Sequence, residues 1–222
     1  MLNSLKTFII QKNNTRRAER FYSLGVKFQG QERWNEAASS YKKAIKIDNS
    51  KGNCFYNLGY VMQKMSEWQE ANTCYRNALK VDETKALWHY RLGYTFQKLN
   101  DWQEANKSYI DAIKINSSKA LWHYRLGYTF QKLNDWKEAS KSYSTAIRID
   151  SKKALWHYSL GYTLQKSKFW NEAIISYKEA IQMDPSKLSW RHRLNSLENS
   201  MNSEFGLVEE FGKDIIQGWV VP

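Results

Sequence analysis

Five glycines stand 34 residues apart, at Gly25, Gly59, Gly93, Gly127 and Gly161, and each brings the same companions. A leucine precedes the glycine, alanines follow twelve and nineteen residues later, and a tyrosine follows at sixteen. The middle copy reads Leu92, Gly93, Ala105, Tyr109 and Ala112. A multi-residue pattern held over this period means that one supersecondary unit is repeated and that each copy buries its apolar face against its neighbours. A fold built around a single central core is thereby excluded. Only two prolines and ten glycines occur, half of those glycines being the periodic set, so little in the chain breaks a helix.

The unit 86–119 divides into two helices. Ala86–Leu99 holds no breaker except its glycine, Asn100-Asp101 is a turn and capping pair, and Glu104 follows Asp101 by three residues like the acid of a capping box. Trp102–Ile115 then shows apolar residues at helical spacing, with Trp102, Ala105, Tyr109 and Ala112 on one side, and Asn116-Ser117-Ser118 ends it. Each unit is therefore expected to be a helical hairpin. A glycine inside a helix costs about 1 kcal/mol against alanine. Five at one phase imply that a neighbouring backbone comes too close for a side chain.

The formal net charge is +12. It is concentrated in residues 1–17 and 120–153, and the chain is net negative after residue 188. Such a balance points to an anionic partner or surface, although the solvated second-helix lysines Lys42, Lys43, Lys107 and Lys141 account for part of it. No apolar run is long enough to span a bilayer, and the short apolar patch 5–10 is followed by no small-residue cleavage site, so a cytoplasmic location is expected. Peripheral membrane contact through the basic N-terminus is compatible with this. Cys54 and Cys74 form no disulfide framework; Cys54 stands where later units have Trp88, Trp122 and Trp156, as a small core residue would.

With the Leu-Gly pair, the alanines at twelve and nineteen, the aromatic at sixteen and the period of 34, the chain resembles the tetratricopeptide repeat family. The resemblance covers residues 18–187 as five units: 18–51, 52–85, 86–119, 120–153 and 154–187. It implies an all-α fold, a right-handed α-solenoid of stacked antiparallel helix hairpins. Residues 1–17 are then a basic segment or capping helix and 188–202 a C-terminal capping helix. Residues 203–222 are a linker or the start of a following domain, with 215–221 reading as a strand. Two departures stand out. The family's proline after the second helix survives only as Pro185, with Asn49, Glu83, Ser117 and Ser151 at the other positions. The first-helix aromatic is also displaced, to Trp88, Trp122 and Trp156, each followed by a histidine.

Helical phase measured from Gly93 puts Leu92, Phe96 and His89 on the core side and turns Trp88 toward the neighbouring repeat. Tyr90, Tyr94 and Gln97, with Arg91 and Lys98, fall on the other side, which lines the concave surface in the family's architecture. Stacked, these give one tyrosine ladder (Tyr22, Tyr56, Tyr90, Tyr124, Tyr158) that serves packing as readily as binding. They also give a second (Tyr60, Tyr94, Tyr128, Tyr162) favoured for binding. Gln97 and Gln131 belong to a glutamine ladder, and Lys98, Lys132 and Lys166 to a lysine ladder, with Arg91 and Arg125 adding charge. His89, His123 and His157 are one repeat apart, too far to share a metal, and read as core histidines. No nucleophile–base set, phosphate loop or paired-acid motif appears, so no catalytic residue, metal or cofactor is assigned.

A non-catalytic scaffold follows, holding an extended and anionic ligand in the concave groove. A protein or peptide partner is the default; an anionic polysaccharide is a variant, since tyrosine faces suit sugar rings. Asn57 and Arg91 suit two slots of the family's carboxylate clamp, but Tyr22, Val26 and Leu87 occupy the others, so that resemblance fails. Repeats of the ALWHYRLGYTFQK type are similar to those attached to bacterial capsule and surface-glycan polymerases. That similarity implies an alternative, a targeting, assembly or product-binding module of a larger glycan-polymer transferase whose catalytic domain lies beyond residue 222. No nucleic-acid motif accompanies the charge.

Overall fold

The computed structural model describes the backbone of residues 2–217 and the side chains of residues 11–203. Eleven helices are present among the described residues, and no strand. They are α1 (Leu2–Gly30), α2 (Trp34–Ile47), α3 (Gly52–Lys64), α4 (Trp68–Val81), α5 (Ala86–Lys98), α6 (Trp102–Ile115), α7 (Ala120–Lys132), α8 (Trp136–Ile149), α9 (Ala154–Lys166), α10 (Trp170–Met183) and α11 (Leu188–Gln217). They fall into two compact units, Met1–Leu133 and Asn134–Pro222. In the first, α1 to α7 pack in chain order, each helix against the next; in the second, α8 to α11 do the same. α1 runs without a break from the basic segment into the first repeat helix. α11 buries Trp190, Leu194 and Leu197 and continues to Gln217, because no proline or turn pair interrupts it. The strand expected at 215–221 is therefore helix as far as Gln217, and its remainder lies outside the described residues.

The turn inside each hairpin is set by one residue in the left-handed region: Glu32, Ser66, Asn100, Asn134 and Lys168 all have φ near 60°. None is glycine, and asparagine tolerates the region best, as at Asn100 and Asn134. The next residue then caps the second helix. Asp101 and Asp135 accept from the backbone N–H of Glu104 and Glu138 at 3.2 Å, while Arg33, Glu67 and Phe169 offer no side-chain cap.

The hairpin interior corrects the expected reason for the glycines. A Cβ on Gly25, Gly59, Gly93 or Gly161 would lie 2.6–2.9 Å from the ring of Tyr41, Tyr75, Tyr109 or Tyr177. The close neighbour is thus the tyrosine sixteen residues on in the same hairpin, more than a foreign backbone. These tyrosines are completely buried, with Ala37, Ala71, Ala105 and Ala173 beside them. Each hydroxyl donates to a glutamine Oε1 on its own first helix: Tyr41 to Gln29, Tyr75 to Gln63, Tyr109 to Gln97 and Tyr177 to Gln165, at 2.8–3.1 Å. Burial is the main cause that raises these phenols well above their usual pKa.

Packing between hairpins uses the tryptophans as expected. Trp88 stacks on Tyr56 at 5.6 Å, Trp122 on Tyr90 at 5.4 Å and, in the second unit, Trp190 on Tyr158 at 4.8 Å, all within 20° of parallel. Polar contacts add register: Asn72 Nδ2 donates to Thr95 Oγ1 and Asn106 Nδ2 to Thr129 Oγ1, all buried. The histidines serve the connections. His89, His123 and His157 each place Nε2 2.8–3.0 Å from the carbonyl six residues earlier, at Glu83, Ser117 and Ser151. These are the positions from which the family's proline is missing. His123 and His157 are buried and His89 half-buried, and among the described residues only His157 has an acid partner, Glu179 at 2.7 Å.

Candidate functional site

The first helices α3, α5, α7 and α9 contain no aspartate or glutamate at all, and their charges are Lys64, Arg91, Lys98, Arg125, Lys132 and Lys166. The acids are confined to second helices, turns and the end helices. There, Lys107 and Lys114 pair with Glu104 and Asp111, and Lys141 with Glu138, on the same helix. None of the first-helix cations forms an ion pair among the described residues. Within each unit the face they occupy therefore carries positive potential with no counter-charge of its own.

Tyrosine rings position these cations. In the first unit Arg91 Cζ lies 5.3 Å from the Tyr60 centroid and Arg125 Cζ 5.3 Å from that of Tyr94. Lys64, Lys98 and Lys132 lie 5.4–5.7 Å from Tyr60, Tyr94 and Tyr128, each one helical turn behind on the same helix. The second-helix tryptophans Trp34, Trp68 and Trp102 meet the same tyrosines edge to face at 5.8–6.5 Å. They also lie within 5.8 Å of the same lysines. In the second unit Tyr162 repeats the arrangement with Trp136, Lys166 and Arg193. A cation over an aromatic face gains about 0.5–2 kcal/mol, depending on exposure. The lysines remain exposed and the arginines and tyrosines half-buried. The Nε atoms of Arg91 and Arg125 are buried without a hydrogen-bond partner.

The other expected residues separate from this cluster. Tyr90 is buried between Tyr109 and Trp122, and Tyr124 is half-buried. Gln97 Oε1 accepts from the Tyr109 hydroxyl, and Gln131 is half-buried. Sequence phase missed two contributors. Trp102 reads from its spacing only as a second-helix apolar residue, yet Trp34, Trp68, Trp102 and Trp136 share the period of 34 with the tyrosines. Arg193 stands two periods after Arg125, in a helix read as a polar cap, while the intervening position is Ser159. Among the described residues no group of three or more His, Cys, Asp or Glu could hold a metal ion, and no helix is long and apolar enough to cross a membrane.

Consecutive antiparallel hairpins with one small-residue seam per hairpin and an aromatic, cationic first-helix face define a helical-repeat scaffold. Two family models match the sequence: "TPR repeat" over residues 30–66 and 130–168, and "Tetratricopeptide repeat" over residues 56–120. The chain belongs to the tetratricopeptide repeat family. Similar solved structures include YrrB, described as a tetratricopeptide repeat protein with an unusual peptide-binding site. It is 20% identical, with a TM-score of 0.76 over 84% of this chain and 96% of that one. MamA from Desulfovibrio magneticus is 16% identical, with a TM-score of 0.71 over 77% and 97%. Pseudomonas aeruginosa pilF is 16% identical, with a TM-score of 0.63 over 91% and 99%. At these identities the likeness is one of fold. No curated protein sequence matches the chain.

Proposed function

We propose that this chain is a non-catalytic interaction module whose first-helix face holds an extended acidic peptide. The observation that supports this reading is the uncompensated row of cations set over Tyr60, Tyr94 and Tyr128 in the first unit. Carboxylates or phosphate groups supply acceptors to the lysine ammonium groups and to the accessible side of each guanidinium, where arginine can offer two donors at once. Tyr60 and Tyr94 already lie against two cations each, as does Tyr162. A sugar ring stacking on those tyrosines would have to displace a charge, which favours a peptide over a polysaccharide. The peptide-binding site named for YrrB is a precedent on the same fold.

Calorimetric titration with a glutamate-rich unstructured peptide, its glutamine-substituted counterpart and hyaluronate tests the reading. The acidic peptide binds at low salt and the neutral one does not, and Arg91→Ala with Arg125→Ala weakens binding about tenfold or more while the melt is retained. Binding of hyaluronate in preference to the acidic peptide would move the reading to an anionic polysaccharide and toward a module of a glycan-polymer transferase. Equal binding of the charged and neutral peptides would refute the role of the cations.

A further inference from the structure

Among the described residues nothing packs on the repeat interface carried by the first helix. In α3, α5 and α7 one stripe is buried against the second helix of the preceding hairpin, as with Cys54, Leu58 and Val61 in α3. The same stripe in α1 is Arg20, Leu24 and Lys27, all exposed, with Arg16 one turn earlier. Leu24 is 38% exposed, where Leu58 is 5% and Leu92 8%. With Phe21 these residues line a shallow groove. Arg16, Arg20 and Lys27 have no ion pair among the described residues, and the nearby acid Glu19 is taken by Lys51 at 2.9 Å. A polar end helix is ordinary in a repeat stack. A leucine flanked by unpaired arginines, on the stripe that elsewhere receives a second helix, is a docking surface for a helix of opposite charge.

The second unit holds such a helix. On α10 the residues Glu172, Ile175, Glu179 and Met183 follow at helical spacing and are all exposed, Ile175 by 57% and Met183 by 46%. Glu172 and Met183 keep the repeat's own pattern, an acid and an aliphatic residue in every second helix, but Ile175 replaces Ser39, Thr73, Lys107 and Lys141, and Glu179 replaces Lys43, Asn77, Asp111 and Thr145. Arg16 to Lys27 and Glu172 to Met183 each span eleven residues, about 16 Å of helix. We propose that the α1 stripe of one molecule receives the α10 stripe of a second copy, Arg16 and Arg20 meeting Glu172 and the half-exposed Glu179, whose Oε2 stays on His157 Nδ1 while Oε1 accepts the arginine, around the contact of Leu24 with Ile175. The contact is heterologous, since the two stripes differ. One helix on one helix is a small interface, so the association is weak, concentration-dependent and screened by salt. It does not depend on what the tyrosine–cation face binds.

Sedimentation velocity of the full chain over a concentration series tests this. The weight-average sedimentation coefficient rises with concentration at low salt and stays flat at high salt. Arg16→Glu with Arg20→Glu removes the rise, and so does Ile175→Ser, both with unchanged circular dichroism. Adding Glu172→Arg to the Arg16→Glu, Arg20→Glu chain restores part of it, a result that general loss of positive charge does not produce. A flat coefficient for the wild type at every concentration overturns the proposal, as does association that survives both variants. Binding of the monomer to phosphatidylserine vesicles, lost in Arg16→Glu with Arg20→Glu, would give the α1 face to a membrane instead.

Discussion

Replacing Gly93 with alanine tests the seam on which every hairpin depends. A Cβ there would sit 2.9 Å from both Cδ1 and Cε1 of Tyr109 and 3.2 Å from the Ala105 carbonyl oxygen. Tyr109 has little freedom to yield: it is fully buried, its hydroxyl donates to Gln97 at 2.9 Å, and its ring lies 5.7 Å from that of Tyr90. Alanine gains about 1 kcal/mol of helix propensity over glycine. Overpacking a tight site costs about 1–3 kcal/mol, and the pinned ring selects the upper part of that range. The net expectation is a loss of about 1–2 kcal/mol. Gly30→Ala is the control, since a Cβ there meets nothing within 4 Å; it gains up to about 1 kcal/mol. Urea and thermal melts followed by far-ultraviolet circular dichroism read both, with about 2–4 °C of midpoint per kcal/mol at this size. Midpoints are compared directly, because a repeat array need not unfold as a single step. A Gly93→Ala chain that melts at or above the wild type, beside a Gly30→Ala control that behaves as expected, refutes the packing argument.

Asp101→Ala removes a cap that accepts from Glu104 N–H and should cost about 1 kcal/mol; Glu67→Ala, at a position without a side-chain cap, should cost less, and thermal melts compare the two. Alkali should unfold the chain progressively. Burial pushes the Cys74 thiol from 9.0 up to about 11 and raises Cys54 and the buried tyrosines. The folded state therefore keeps protons that the unfolded state sheds, and stability falls as pH rises from 9.0 through about 11. Urea midpoints measured across that window check this, and a flat profile would contradict it. In native protein near neutral pH, Cys74 should react with a thiol reagent much more slowly than in urea. His157→Leu breaks the ties to Ser151 and Glu179 and should destabilise the chain by about 1–3 kcal/mol, more than His89→Leu, where only the Glu83 carbonyl is lost.

The hairpins were legible because their signals are local: a breaker-free first helix, an Asn-Asp turn, an acid in the first turn of the second helix. Trp88 was placed correctly from phase alone, since period and angle determine which flank a helical residue occupies. The reason for the glycines was not legible, because Tyr109 lies sixteen residues away and only the folded hairpin brings its ring to Gly93. Gln97 belongs to the same class. Phase turned it outward, and a long side chain then reached back to the Tyr109 hydroxyl. The recurring glutamine twelve residues before each tyrosine was the available clue. Arg193 and the second-helix tryptophans were not legible because helical phase sorts residues within one helix, and their contacts with the tyrosines cross from one helix to another.

The bond between each buried tyrosine and its glutamine closes within one hairpin, whereas the Asn72–Thr95 and Asn106–Thr129 bonds cross from one hairpin to the next. A unit can therefore be copied or lost without orphaning its most deeply buried hydroxyl. Asparagine and threonine, at the seams, are what an inserted unit must match. The identity of residues 85–102 and 119–136 is compatible with such copying and equally with demand for a uniform groove. Array length is in this sense a heritable variable, with the seam pair acting as the checkpoint on each insertion.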